Sequence, residues 1–436
     1  MNQIKNYFEQ ITKSIKSIMK IIDFKSFIQL STLKALGVIS SIVIIAVVIS
    51  ELEPKNVGVY FLTFAIAKVF SLLFSLGSFA AIIPIYSSSS EDDANHTISL
   101  AIISSLIAAS LMILIINTAF YFFPDNVKSS YWYIPYASFL GAAVTIQTNL
   151  FHIFSAQSRL IYATLFQEGT GRNILLLVLV GSLIIFDKDL LGLRSIFAFA
   201  IISTFLLVIF GLINIKFYLN IFKVPTYITK KFFKLGLNFA PSTAISNGSS
   251  HIIEIFINYL FGPVTLAAIG LANRVCGVFL FFTNMINLFF VRASKIYFDG
   301  RFNELKILYK RCILRSLISV LFLIIFYIFF GASLANDFLG IDQIKNADFA
   351  IKAMLLSTIG QSIAIFSLAF LKNTGRYKFV LGLDTLNLIL AMILLSIGFV
   401  YGNVLIPIII IVSLRIIRQL ISFIYLEYLL TNQKDA

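Results

Sequence analysis

Residues 244–262, AISNGSSHIIEIFINYLFG, run through one of the most apolar parts of the chain and still carry Asn247, His251, Glu254 and Asn258. Spacings of four, three and four residues put all four on one side of a helix. A charged side chain at the centre of a bilayer costs about 3 kcal/mol even on the lenient insertion scale. Such a stripe must therefore face a protein interior or a wet cavity, and the surrounding sequence has to say which.

The surroundings are those of a membrane protein. Of 436 residues, 59% are hydrophobic and 12% charged, and mean hydropathy is +0.94, well beyond a soluble globule. Stretches of roughly 20 apolar residues, the length that crosses about 30 Å of hydrocarbon, occur twelve times. They lie near 27–50, 57–80, 98–122, 131–155, 162–186, 195–219, 236–261, 264–290, 309–333, 348–371, 377–400 and 403–429. With the N-terminus placed inside, the inner segments hold 22 Lys and Arg and the outer loops six. The positive-inside rule thus puts both termini in the cytoplasm. The net charge of +14 then reflects basic loops beside anionic lipid rather than nucleic-acid binding. Cys276 and Cys312 read as free thiols, and no cleavable signal peptide is expected.

The segments divide into two sets of six. EPKNVGVYFLTFAIAKVFSLLFSL at 53–76 and GPVTLAAIGLANRVCGVFLFFTNM at 262–285 both begin with a proline turn after the first span of their half. SAQSRLIYATL around Arg159 and KNTGRYKFVLG around Arg376 form a second pair at nearly the same offset. The expected organisation is a cytoplasmic amphipathic arm at 1–25, a six-helix lobe at 26–220, a basic linker at 221–235 and a second six-helix lobe at 236–430. The fold class is all-α: twelve transmembrane helices in two six-helix bundles, related by a pseudo-two-fold axis, around a central cavity.

Polar stripes recur in other spans. Lys68, Ser71, Ser75 and Ser78 share a face of the second; Thr145, Asn149, His152 and Arg159 one of the fourth; Asn273, Gly277, Asn284 and Asn287, with Arg274 beside them, one of the eighth. Asp384 and Asn387 share a face of the eleventh, and Arg415, Arg418 and Ser422 one of the twelfth. At membrane depth six basic residues (Lys34, Lys68, Arg172, Arg274, Arg415, Arg418) stand against three acidic ones (Glu168, Glu254, Asp384). A low-dielectric cavity with surplus positive charge attracts anions, so the substrate is expected to be anionic. Plainer readings stand beside this one. Glu168 and Arg172 are spaced as an ion pair, and Lys34, Arg415 and Arg418 are near enough to the inner boundary to snorkel. His251 with Glu254 reads as a hydrogen-bonded pair rather than a metal site, since HxxE alone supplies too few ligands. No phosphate-binding loop and no zinc spacing occurs, and the outer loops are short, which favours a transporter over an enzyme.

The twelve-span layout, the segment ELEPKNVGVYFLTFAIAKVFSLLFSLGSFAAIIPIYS at 51–87 and the segment GRYKFVLGLDTLNLILAMILL at 375–395 resemble the bacterial O-antigen and polysaccharide-repeat flippases of the multidrug/oligosaccharidyl-lipid/polysaccharide exporter superfamily. The resemblance implies two bundles in a V around a cavity opening alternately to either side of the inner membrane. It implies a cargo of oligosaccharide on an undecaprenyl-pyrophosphate-type lipid, with cavity cations holding the diphosphate. Relatives that flip peptidoglycan precursor carry such cations on the first, second and eighth spans, where Lys34, Lys68 and Arg274 fall here; Arg172, Arg415 and Arg418 complete the candidate set. Asn149, His152, Asn247, His251, Asn273 and Asn284 are the candidate polar lining. Some relatives hold sodium on the seventh and eleventh spans, which makes Glu254, Asn258, Asp384 and Asn387 candidates for a coupling Na+ or H+ site. No cofactor is expected. The partners implied are membrane lipids, a polysaccharide polymerase and a chain-length regulator, around a monomer. A cation-exporting multidrug antiporter and a membrane enzyme of polysaccharide assembly are the alternatives.

Overall fold

The computed structural model describes residues 24–87, 90–167, 169–187, 190–215, 224–286, 296–297, 300–364, 367–374 and 376–432. The expected arm at 1–25 lies almost wholly outside them, as does Glu168. The described chain is all-helical, with no strand among the described residues. The first half comprises α1 (Phe24–Glu51), α2 (Pro54–Phe74), α3 (Ser78–Ser87), α4 (Glu91–Tyr121), α5 (Asp125–Ser130), α6 (Ile134–Ala156), α7 (Leu160–Phe166), α8 (Thr170–Phe186) and α9 (Leu193–Asn214). The second comprises α10 (Thr226–Phe261), α11 (Pro263–Ile286), α12 (Phe302–Phe326), α13 (Ala332–Leu339), α14 (Ala347–Ile363), α15 (Ser367–Asn373), α16 (Tyr377–Val400) and α17 (Leu405–Asn432). Among the described residues eight helices are long and apolar enough to cross a membrane, and α7 with α8, bent by 58° at their junction, makes a ninth. All twelve apolar segments of the sequence carry helix.

Three spans read as single helices are broken. The second splits between α2 and α3, where Leu76 and Gly77 take positive φ values of 46° and 71°. Gly77 needs this freedom twice over, because a Cβ there would also lie 2.4 Å from the Gly236 carbonyl of α10. The fifth splits into α7 and α8, and the tenth into α14 and α15. Three helices also begin seven or more residues earlier than hydropathy suggested, α12 at Phe302 among them. The α4 helix starts at Glu91, where the Ser90 side chain accepts a hydrogen bond from the Asp93 N–H (3.4 Å) and three acidic residues fill the first turn. The α10 helix starts at Thr226, so most of the expected linker is helical and continuous with the seventh span.

The two halves repeat one another. The helices α2 and α11 both open on proline, at Pro54 and Pro263. The turn before α7 and the turn before α16 close identically: Arg159 N–H donates to the Phe154 carbonyl and Arg376 N–H to the Leu371 carbonyl, each at 2.9 Å. This bond to a carbonyl five residues back is a Schellman closure, and it falls on the sequence pair that suggested the repeat.

The apolar cores show how the lobes meet. One core draws on both lobes at the end remote from the chain termini, combining Ile44, Val48, Ile49, Val57 and Ile196 with Leu266, Leu339, Ile341, Ile344 and Ile408. At the terminal end the cores are separate. One belongs to the first lobe and is joined by Phe232 and Leu235 of α10; the other is built from α12, α15, α16, α17 and Ile296. There Tyr227 Oη of α10 also donates to Asp93 Oδ1 of α4 at 2.6 Å.

The shared seam is tight. A Cβ on Gly58 of α2 would sit 1.9 Å from the Pro263 carbonyl oxygen, and backbone cannot yield as a side-chain tip can. Gly58→Ala is expected to lower the unfolding midpoint in detergent, with an overpacking cost of about 1–3 kcal/mol. Gly181→Ala in α8, where nothing lies within 4 Å of the added Cβ, should hold or raise it. Fluorescence-monitored thermal unfolding of both variants checks this.

Candidate functional site in the central cavity

Between the lobes lies a cavity of about 700 Å³, within the range of small-molecule sites. Its first-lobe wall is formed by α1, α2, Phe79 of α3, α6 and the α7–α8 bend, and its second-lobe wall by α10, α11 and α17. Among the described lining residues, Lys68, Arg172, Arg274 and Arg415 stand against the single carboxylate of Glu254.

The α10 stripe faces this space over most of its length. Asn247, His251 and Glu254 line it, and their side chains form a chain: His251 Nδ1 pairs with Glu254 Oε2 at 3.0 Å, and Asn273 Nδ2 of α11 donates to Glu254 Oε1 at 3.3 Å. The carboxylate is thus occupied on both oxygens. Asn258 lies outside the cavity, one residue beyond the fully buried Ile257 of the shared core, and its Oδ1 is buried without a hydrogen bond.

The basic residues divide by what they touch. Arg172 packs its guanidinium 4.9 Å from the Phe64 ring centre and bonds Asn173 Oδ1 at 3.4 Å. Arg415 donates to the Met354 sulfur at 3.3 Å, a weak acceptor. Arg274 forms no hydrogen bond or ion pair with any described residue. Arg418 does not reach the main cavity. Its Nε and Nη2 hold Asp384 Oδ1 at 2.7 and 2.6 Å, while Ser246 donates to the other oxygen. Asp384 is fully buried. Lys34 is half-buried on α1, one turn before the cavity-lining Gly37 and Val38.

The polar candidates divide similarly. His152 lines the cavity. Asn149 is 1% exposed and joins α6 to α3, accepting from Ser78 Oγ at 3.4 Å and donating to the Thr145 carbonyl at 3.1 Å. Thr145 in turn donates to Ser71 at 3.1 Å, so these stripes bind helix to helix. The side chain of Asn284 lies outside the described residues. The four ion-site candidates do not converge. Glu254 and Asn387 line a second, small cavity of about 60 Å³ together with Asn273, Arg415 and Arg418; Asp384 is held by Arg418, and Asn258 lines neither space. Among the described residues no three His, Cys, Asp or Glu side chains gather as a metal site. Sequence reasoning missed Thr148, Gln167, Asn173 and Ser250, which also line the cavity, although Thr148 lies one turn before His152 and Asn173 and Ser250 adjoin the chosen Arg172 and His251.

Removing one partner of a buried pair leaves an uncompensated charge, at a cost of roughly 3–5 kcal/mol. Arg418→Met is therefore expected to destabilise the protein strongly, and the double change with Asp384→Leu to recover most of the loss. Thermal unfolding of wild type, both single variants and the double variant in one detergent measures this coupling.

No protein-family model matches the chain, and no curated protein matches it in sequence. Solved structures do match in shape. An inward-facing multidrug-resistance MATE family transporter of the MOP superfamily superposes with a TM-score of 0.67 at 15% identity, covering 93% of this chain and 96% of the other. The outward-facing conformation of such a transporter gives 0.65 at 15% identity, over 94% and 96%. A MOP superfamily transporter from Pyrococcus furiosus, described as having a binding pocket whose reversed polarity suggests a different function, gives 0.65 at 16% identity, over 93% and 96%. The chain therefore has the two-bundle fold of these multi-pass membrane transporters.

Proposed function

We propose that the protein is an alternating-access flippase for an anionic, polyprenyl-pyrophosphate-linked oligosaccharide of the O-antigen or capsule type, in a bacterial inner membrane with both termini cytoplasmic. The observation that carries this reading is the cavity's uncompensated positive charge, above all Arg274, which has no described partner. A cation-exporting antiporter needs a surplus of carboxylate, and here the one described lining carboxylate is engaged by His251 and Asn273. Charge of this sign suits pyrophosphate, and Asn247, Asn273, Thr148 and Gln167 suit sugar hydroxyls.

With the basic end inside, the core shared by the lobes lies on the outer side and the separate cores on the cytoplasmic side. That is the arrangement of a cavity closed outward and entered from within. Outward opening would part the seam at Gly58 and Pro263 and bring the two inner cores together. A lipid tail can remain in the bilayer throughout while only the headgroup enters. A polysaccharide polymerase and chain-length regulator would act on the delivered repeat. The His251–Glu254–Asn273 chain is the proposed seat of coupling to Na+ or H+, because its carboxylate is the one that faces the cavity.

Deleting the gene should cause a lipid-linked saccharide to accumulate on the cytoplasmic leaflet, detected by protection from membrane-impermeant lectin or glycosidase in intact spheroplasts. Arg274→Ala should reproduce that accumulation while the protein still inserts at wild-type level. Accumulation already exposed on the outer leaflet would identify a polymerase or transferase instead. Unchanged glycolipid together with increased sensitivity to cationic drugs would identify a multidrug exporter.

A further inference from the structure

The two walls of the cavity differ in chemistry. On the second-lobe wall, Arg274 has no described partner and Arg415 is bonded to the Met354 sulfur, so two guanidinium groups retain capacity for bidentate contact with phosphate. On the first-lobe wall Arg172 lies over Phe64 and bonds Asn173, and Lys68 lines the cavity as a single ammonium without the planar fork of a guanidinium.

What the first-lobe wall offers instead is His152. Its ring stacks on Phe79, with centroids 5.2 Å apart and planes 26° from parallel, and meets the edge of Phe151 at 4.9 Å. Two aromatic neighbours fix the ring's plane. Its Nδ1 is buried and makes no hydrogen bond, a standing desolvation cost that a bound group of suitable polarity would relieve. Against these ring faces a neutral hydroxyl on an apolar carbon frame gives up less hydration than an anion would. Sugars have that form: an apolar C–H face that can lie on an aromatic ring, rimmed by hydroxyls. Thr148 and Gln167 on the same wall add hydroxyl and amide groups.

We propose that the cavity divides its ligand between the lobes: Arg274 and Arg415 hold the pyrophosphate, and His152, clamped by Phe79 and Phe151, binds a hydroxyl of the first sugar. This rests on the flippase reading and adds to it a residue that senses the sugar independently of the phosphate. A carrier that has lost its sugar would then be held by one lobe alone.

The test measures binding of two probes to the full chain in lipid nanodiscs: undecaprenyl pyrophosphate, and the same lipid bearing a single N-acetylglucosamine. His152→Phe, which preserves the aromatic stack, should weaken the glycosylated probe by about tenfold, the loss of one buried hydrogen bond, and leave the bare lipid within about twofold. His152→Gln, which keeps a donor and an acceptor, should recover part of the loss, and Arg274→Ala should weaken both probes. If His152→Phe weakens both equally, or neither, the division between walls is wrong while the flippase reading stands. If the wild-type protein binds neither probe, both readings fall.

Discussion

Arg418 and Arg274 lie in the same lobe, and the contrast between them organises the site. In hydrocarbon a guanidinium must be solvated by something, whether a carboxylate, a lipid headgroup, water or a ligand. Arg418 is satisfied by Asp384, whose other oxygen is bonded by Ser246. That pair ties α16, α17 and α10 into one body. Arg274 has no such answer among the described residues and faces the cavity. The first arrangement holds a lobe together, and the second supplies the charge a ligand would meet.

A similar division runs through the apolar contacts. Where Gly58 meets Pro263 and Phe61 meets Gly270, small residues let the lobes approach until their side chains form one core. At the other end each lobe packs mainly on itself. The broken second span belongs to this design: α2 builds the shared core, while α3 turns away at Leu76 and Gly77 to meet the first half of α10.

Much of this was legible in the residues. Asn247, His251 and Glu254 share a cavity wall because helical periodicity fixes which side chains lie together, and charge at membrane depth narrows what they can face. Asn258 obeys the same periodicity and lies elsewhere, since the cavity ends below it where Ile257 enters the shared core. Asn149, Thr145 and Ser71 also formed good stripes, but their partners are one another. Of the candidate residues, Lys68, Arg172, Arg274, Arg415, His152, Asn247, His251, Asn273 and Glu254 line the cavity, while Asn149, Asn258, Asp384 and Arg418 do not. The helix breaks escaped notice because hydropathy reports composition, whereas Leu76 and the α7–α8 bend are backbone events set by neighbouring helices.

Sequence alone determined that the chain is a multi-pass helical membrane protein with a repeat between its halves, and which charges fall within its apolar segments. These follow from transfer free energy and period, both of which are local. Only the tertiary structure decided that Asp384 neutralises Arg418 across 34 residues, that Arg274 and Arg415 face one space, and that His152 is gripped by two rings. Periodicity sets a residue's azimuth on its own helix; what stands opposite depends on how the other helices pack around it.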